Sequence, residues 1–460
     1  MDKYLERYAE RATLAAGDIP LNESWQQVVV IPVCNESTEI LRALPGKSGR
    51  NLMILVVNET ENSEQRVSLA NQAFAAELKA RFTLTWNSDA EAGLSLYRDP
   101  ASRRDLLLVD RFSEGHRFPP KGGVGHARKT GADLAACLIH RQRIGSPWIH
   151  CTDADVYLPP RYFSCSAALD AATVKGTAAL IYPFRHLLIT DETSTRIPPG
   201  HQQQIMQVTR LYEYSLRYYV AGLKFAGSPY AFHTIGSTLA VNAYHYAKVR
   251  GFPRRQAGED FYLLNKLAKV GSVLQLRADT DCEPIDIAAR LSDRVPFGTG
   301  AAVGKIMQLE NPENHFLLYH PSVFVLLHRW LASLPIFWQK RCSDIAEVLT
   351  QQLLSEPDGQ PAGITSEQLQ NLISGLQDSG ANKALQHAFR QSAELRQFMQ
   401  QMHTWFDAFR TLKLVHHLRD HGLPSISCES LLMERDIDHL LKLEASLPQL
   451  QQMLRNDYLK

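Results

Sequence analysis

W-I-H-C-T-D-A-D-V-Y-L-P-P-R-Y-F, from Trp148 to Phe163, is the stretch around which the rest of the chain is organised. The apolar and β-branched approach through Trp148, Ile149 and Thr152 predicts a buried strand. Pro159 and Pro160 forbid its continuation and suit the first turn of a helix. The strand therefore ends on Asp153 and Asp155, with only the small Ala154 between them, so the two carboxylates can converge on one point and leave room for a ligand. Their mutual repulsion calls for a positive partner. A hard divalent cation, Mn2+ or Mg2+, shared with a substrate's phosphates meets that need, because such ions prefer oxygen ligands. The plainer alternative is an acidic turn that caps the next helix, since Asp-x-Asp is a short and common pattern.

Upstream, V-V-V-I-P-V-C-N-E-S (Val28 to Ser37) begins with the continuous β-branched run of a central parallel strand covered on both faces. Asn35 and Glu36 follow it, where open α/β sheets bind ligands beyond the strand's carboxyl end. A second strand, N-L-M-I-L-V-V-N-E-T, ends at Asn58 and Glu59, and a helix pattern runs from Glu61 to Phe82. Asp105 to Asp110 is a third strand. The alternation of strand and helix predicts a doubly wound, mostly parallel sheet. Asn35, Glu36 and Asn58 also fit ordinary turn chemistry. The segment G-V-G-H-A-R-K-T-G that follows can turn backbone N–H groups and the charges of Arg128 and Lys129 toward phosphates. A glycine-started amphipathic helix is the competing reading.

Downstream, Thr177 to Phe184 is another strand, and the polar segment Arg185 to His201 has the length of a lid beside a substrate or equally of a plain surface excursion. The tyrosines of the next helix (Tyr212, Tyr214, Tyr218, Tyr219) are core by their spacing. A strand headed by Gly236 follows, and glycine there lets a ligand approach the backbone. Glu259 and Asp260 then open an amphipathic helix, where acidic groups are stabilised by its dipole. Arg290 to Val303 has the glycine and basic content of a loop over a diphosphate, with Arg294 and Lys305 as candidate cations; a simple linker is the competing reading.

The chain has 460 residues, long enough for two domains that each bury a core. We place the first at 1–308 and an all-α domain at 309–460, where Leu, Gln and His dominate, helical periodicity recurs and Glu356 to Thr365 is a loop. With 49 basic against 48 acidic residues, nothing suggests a nucleic-acid binder. The seven cysteines have no Cys-x-x-Cys spacing and mostly apolar neighbours, which predicts reduced thiols and, with an N-terminus lacking a signal-peptide core, a cytoplasmic protein. Pro321 to Trp338, broken by His328, Arg329 and Pro335, reads as a buried helix and not a transmembrane segment.

In order along the chain, V-V-I-P-V-C-N-E, G-V-G-H-A-R-K-T-G, C-T-D-A-D-V, G-S-T-L-A-V-N with V-R-G-F, and G-E-D-F-Y-L-L resemble the family 2 glycosyltransferases of the GT-A fold, over about Val28 to Leu276. That resemblance implies a nucleotide-diphosphate sugar donor, a divalent cation and transfer to an acceptor hydroxyl. It further implies that Pro32, Val33, Asn35, Glu36 and Asn58 line the nucleotide pocket, with Arg128 or Lys129 near it. Asp153 would face the ribose or the metal, Asp155 would bind the metal, and Gly236 and Ser237 would border donor sugar and acceptor. Asp260 would be the general base of an inverting transfer, with Glu259 next in line. The chain departs from the family at Asn58, where an acidic residue is usual, and over Ala70 to Arg104, which is longer than the usual connection. Processive members carry Gln-x-x-Arg-Trp, whereas L-L-H-R-W puts Leu326 at the Gln position. Two other classes stand beside this one. A sugar nucleotidyltransferase would need a glycine- and arginine-rich loop after the first strand, which Pro32 to Glu36 does not supply. A non-catalytic scaffold would act through the C-terminal helices, which could equally hold an acceptor, a partner or a second subunit.

Overall fold

A computed structural model of the chain describes residues 1–38, 40, 49–99, 104–188, 201–278, 282–291, 299–355, 364–433 and 447–458. Two compact units are formed, one from Met1–Ile197 with Thr234–Ala301, the other from Pro198–His233 with Ala302–Lys460. The sequence boundary near 308 is close to one of these divisions. It does not separate the segment around helix Gln202–Phe225, which clusters with the C-terminal helices.

Among the described residues the first unit holds strands β1 (Gln27–Val33), β2 (Asn51–Asn58), β3 (Thr83–Asn87), β4 (Leu94–Arg98), β5 (Arg104–Arg111), β6 (Trp148–Cys151), β7 (Val156–Tyr157), β8 (Thr177–Ile181), β9 (Phe184–Leu187), β10 (Leu239–Asn242), β11 (Ser272–Gln275) and β12 (Ile285–Ala288). Nine of them make one mixed sheet in the order β11-β8-β10-β6-β1-β2-β5-β4-β3. Its centre is parallel, with Val28 to Val33 of β1 opposite Leu52 to Val57 of β2, and only β10 and β4 run against the other strands. The β-branched runs form this centre because both faces are covered: every residue of β2 is buried. Helix Val124–His140 packs on β1 and β2. The long Ala70–Arg104 segment completes helix Gln65–Arg81 and then adds the hairpin β3–β4, which extends the sheet beyond β5.

A smaller sheet, β7-β12-β9, lies at the carboxyl end of β6. It forms because Pro159 stops the chain after β7 and leaves that two-residue edge for β12 to pair with, Asp286 opposite Tyr157 and Ile287 opposite Val156. Cys165 and Cys282 are joined by a disulfide, which corrects the expectation of seven reduced thiols; Cys34, Cys137, Cys151, Cys342 and Cys428 are free.

The second unit is helical. Helix Pro321–Lys340 is its spine, and Val323, Leu326, Leu327, Trp330, Leu334 and Phe337 are buried in a core that Leu223, Ala226, Leu372, Phe398 and Val415 share. Tyr214 and Tyr218 of helix Gln202–Phe225 are buried, with ring centroids 6.2 Å apart, as their spacing predicts. No helix among the described residues is long and apolar enough to cross a membrane.

Candidate active site

Chain order reverses at β1: the connection from β1 goes to β2 on one side, while β6 flanks it on the other. Open α/β sheets bind ligands at such a point, beyond the carboxyl ends of the two strands. The crevice opens because β6 leaves the ladder early. Thr152 N–H still donates to Val30 O at 3.1 Å, but the pairing of β1 with β6 stops at Val30 opposite Cys151. Pro32 turns the same edge as Val30 toward the departed strand, so its missing N–H removes no ladder bond. Pro32 and Val33 are thus buried strand residues. Asn35 adopts a left-handed conformation (φ 54°), which Asn tolerates, and its N–H donates to Asn71 Oδ1 at 3.0 Å.

Two guanidinium groups organise the mouth of this crevice. Arg128, on helix Val124–His140, hydrogen-bonds Asp153 with one Nη and Glu259 with the other. The Arg128 and Glu259 side chains are 5% and 2% exposed, so removing either partner would leave a buried charge, at about 3–5 kcal/mol. Gly236 makes the arrangement possible, since a Cβ there would overlap the Arg128 guanidinium. The close approach expected at Gly236 is therefore made by Arg128. Ser237 is buried in the same 3-10 turn, Gly236–Thr238.

The second guanidinium is Arg290. Its Nε and Nη2 lie 2.7 and 2.6 Å from Asp155 Oδ2, and Nη2 and Nη1 reach Glu36 Oε1 and Oε2 at 2.8 and 3.4 Å. The sequence reading put Arg290 at the head of a candidate diphosphate loop but chose Arg294 and Lys305 as its cations. Arg294 lies outside the described residues, as do most of Arg185 to His201 and of Glu356 to Thr365; Lys305 is exposed on helix Thr299–Met307. Nothing local marks Arg290, because only the pairing of β12 with β7 brings it to Asp155.

Asp260 belongs to the Arg128 cluster. It is half-buried in the first turn of helix Glu259–Leu267, behind Gly258 at the N-cap, so it is not the cap itself. Burial and the neighbouring Glu259 push its carboxyl up to about 7, while Arg128 opposes the shift. Asp153 is raised as well, by burial first, against the pull of Arg128, and by the nearness of Asp155.

Two other candidates are engaged by groups of the protein itself. Lys129 Nζ is 2.8 Å from Asp133 Oδ2 and 3.1 Å from the Tyr4 hydroxyl, in a buried cluster that Tyr246 completes and that fastens the N-terminal helix. Asn58 Nδ2 donates to Val33 O at 3.1 Å and to Val56 O at 3.0 Å, tying off the ends of β1 and β2. Two amides of the glycine-rich turn are taken by backbone carbonyls, Gly122 N–H donating to Pro119 O at 2.7 Å. Gly125 N–H donates to Arg255 O at 3.1 Å, and a Cβ at Gly125 would crowd the carbonyls of Arg255 and Pro253, so these glycines serve close packing.

Among the described residues, the mouth holds five carboxyls (Glu36, Asp153, Asp155, Glu259, Asp260) and two guanidinium groups. A diphosphate entering beside these carboxyls calls for positive charge to offset its own. Asp153 and Asp155, with side chains 37% and 22% exposed, are hard oxygen donors open to the crevice. Among the described residues no three His, Cys, Asp or Glu side chains converge as a complete metal site, so a divalent cation held by these two residues would take its remaining donors from water or from a bound ligand.

No family model matches the chain, and no curated protein does. Among solved structures, it is similar to S. aureus TarS 1-349 in complex with UDP-GlcNAc, at 11% identity over 80% of this chain and 92% of that one, with a TM-score of 0.34. It is also similar to the mannosyltransferase PcManGT from Pyrobaculum calidifontis in complex with GDP-Man and Mn2+, at 14% identity over 87% and 94%, with a TM-score of 0.33. Likeness at this level assigns no role to any residue of this chain.

Proposed function

We propose that the first unit is a glycosyltransferase that moves a sugar from a nucleotide-diphosphate donor to an acceptor hydroxyl. The observation that carries this reading is that Asp260, its carboxyl pushed up to about 7 by burial and by Glu259, shares one charge cluster with the carboxylates of the D-A-D turn at the switch point of the sheet. A base of that strength is matched to taking a proton from a hydroxyl at neutral pH. In the reaction, the acceptor oxygen bonds to the anomeric carbon as its proton passes to Asp260. The bond to the diphosphate breaks, and that group leaves with the electron pair. One displacement of this kind inverts the anomeric centre. Asp153 and Asp155 would hold a divalent cation, Mn2+ or Mg2+, whose chemistry is to offset the charge developing on the diphosphate. Asn35 and Glu36, beyond β1, and Gly236 and Ser237, before β10, would border the donor. Arg128 keeps Asp153 and Glu259 in place, and Glu259, committed to Arg128, is the weaker candidate for base. The second unit would serve an acceptor, a partner or self-association, and the cytoplasmic assignment is part of the same proposal.

The test is a screen of UDP- and GDP-sugars for consumption with and without Mn2+ or Mg2+, repeated with Asp155→Ala. Metal-dependent consumption that Asp155→Ala abolishes is expected. If no nucleotide sugar is consumed, and UDP and GDP bind equally with and without metal, the reading fails.

A further inference from the structure

Among the described residues Arg290 forms an ion pair with Asp155, and its side chain is 10% exposed. Backbone pairing puts it there. Ala288 N–H donates to Asp155 O at 3.2 Å where β12 runs antiparallel to β7, and the residue two steps on returns beside the Asp155 side chain. The planar fork then divides its donors, Nε and Nη2 toward Asp155 Oδ2 and both Nη groups toward Glu36. Such a fork gives bidentate recognition that a point charge cannot. It also means that a carboxylate oxygen assigned to an incoming cation is already held by a group of the same sign.

We propose that Arg290 is the resident counter-ion of the donor site: it contests Asp155 with a divalent cation while no donor is bound, and it turns to the diphosphate oxygens when donor and cation arrive together. The inference rests on the reading of the first unit as a nucleotide-sugar transferase. Without a diphosphate, an Arg290 displaced from Asp155 loses half of its acceptors in a nearly closed position, a costly state for a guanidinium. With a diphosphate present, the lost acceptor is replaced while Glu36 keeps its hold. Cation and diphosphate therefore favour each other's binding through this side chain as well as through direct ligation.

The experiment titrates the full-length protein with Mn2+ alone, following free Mn2+ by electron paramagnetic resonance, and then repeats the titration with UDP and with GDP. Arg290→Ala should bind bare Mn2+ at least tenfold more tightly than the parent, yet bind Mn2+ with nucleoside diphosphate more weakly. Arg290→Lys, which keeps charge without the fork, should fall between them. Arg290→Gln provides the same comparison should the alanine variant not fold. Opposite movement of the two affinities is the mark of the counter-ion, because a merely damaged site loses both. If both fall together, or bare Mn2+ affinity is unchanged, the proposal is overturned and the transferase reading stands. If the parent binds no nucleoside diphosphate with Mn2+, both are overturned.

Discussion

Replacing Asp260 by Asn should stabilise the protein at neutral pH while removing its turnover. The folded carboxyl lies at about 7, against an ordinary value of 3.8 for aspartate. Below 3.8 both folded and unfolded states hold the proton, and the group costs nothing. As pH rises toward 7 the unfolded chain releases its proton and the folded one does not, so stability is lost across that window and the loss levels off above it. At 1.36 kcal/mol per unit, a gap of about three units sets an upper bound of about 4 kcal/mol. Relaxation around a half-buried side chain brings the expectation to about 2 kcal/mol. Asn carries no charge and escapes this penalty. At about 2–4 °C per kcal/mol for a unit of this size, Asp260→Asn should melt about 4–8 °C above the parent at pH 7.5, with the gap closing toward pH 4. Melts in EDTA between pH 4 and 8.5 measure this without interference from bound cations. In the same variant turnover should fall on the order of a hundredfold or more, since an amide accepts no proton. The parent's kcat/KM should rise with pH through about 7. A stability gap that is flat or reversed with pH refutes the buried-charge account, and turnover within a few-fold of the parent refutes the base assignment.

Two further outcomes follow from the packing and the disulfide. A chain ending at Glu310 should aggregate, because Leu223 and Ala226 lose the core they share with Val323, Leu326 and Trp330; a monodisperse product that binds UDP or GDP would contradict this. Denatured, unreduced protein should titrate with five thiols, and with seven after reduction. Seven before reduction would restore the reading of the cysteines as reduced.

Where the local pattern was unambiguous, the sequence sufficed. The β-branched runs at Val28 and Leu52 had no other stable fate than a doubly covered parallel sheet, and Pro159 with Pro160 had to end the D-A-D stretch. From these the position of Asp153, Asp155 and Glu36 at a carboxyl edge could be read, because strand ends are written in the chain itself. The spacing of Tyr214 and Tyr218 likewise settled their burial. Ala70 to Arg104 was opaque because a hairpin that lengthens a sheet at its edge carries no signal of which strand it will join.

The destination of each basic residue was not legible, and the reason is physical. A guanidinium or an ammonium reaches several ångströms from its backbone, and its partner is chosen by whichever carboxylate the fold brings within that reach. Neighbours in sequence therefore part company: Arg128 bridges Asp153 and Glu259, while Lys129 pairs with Asp133. Gly236, suited by sequence to a ligand, admits Arg128, and Arg290 reaches Asp155 through a strand pairing 135 residues apart in the chain. The amino-acid order by itself determined the parallel centre of the sheet and the carboxylates that follow its strand ends. Tertiary structure alone decided which cations meet those carboxylates, since that depends on through-space distance and shared burial, and neither is a property of a local stretch.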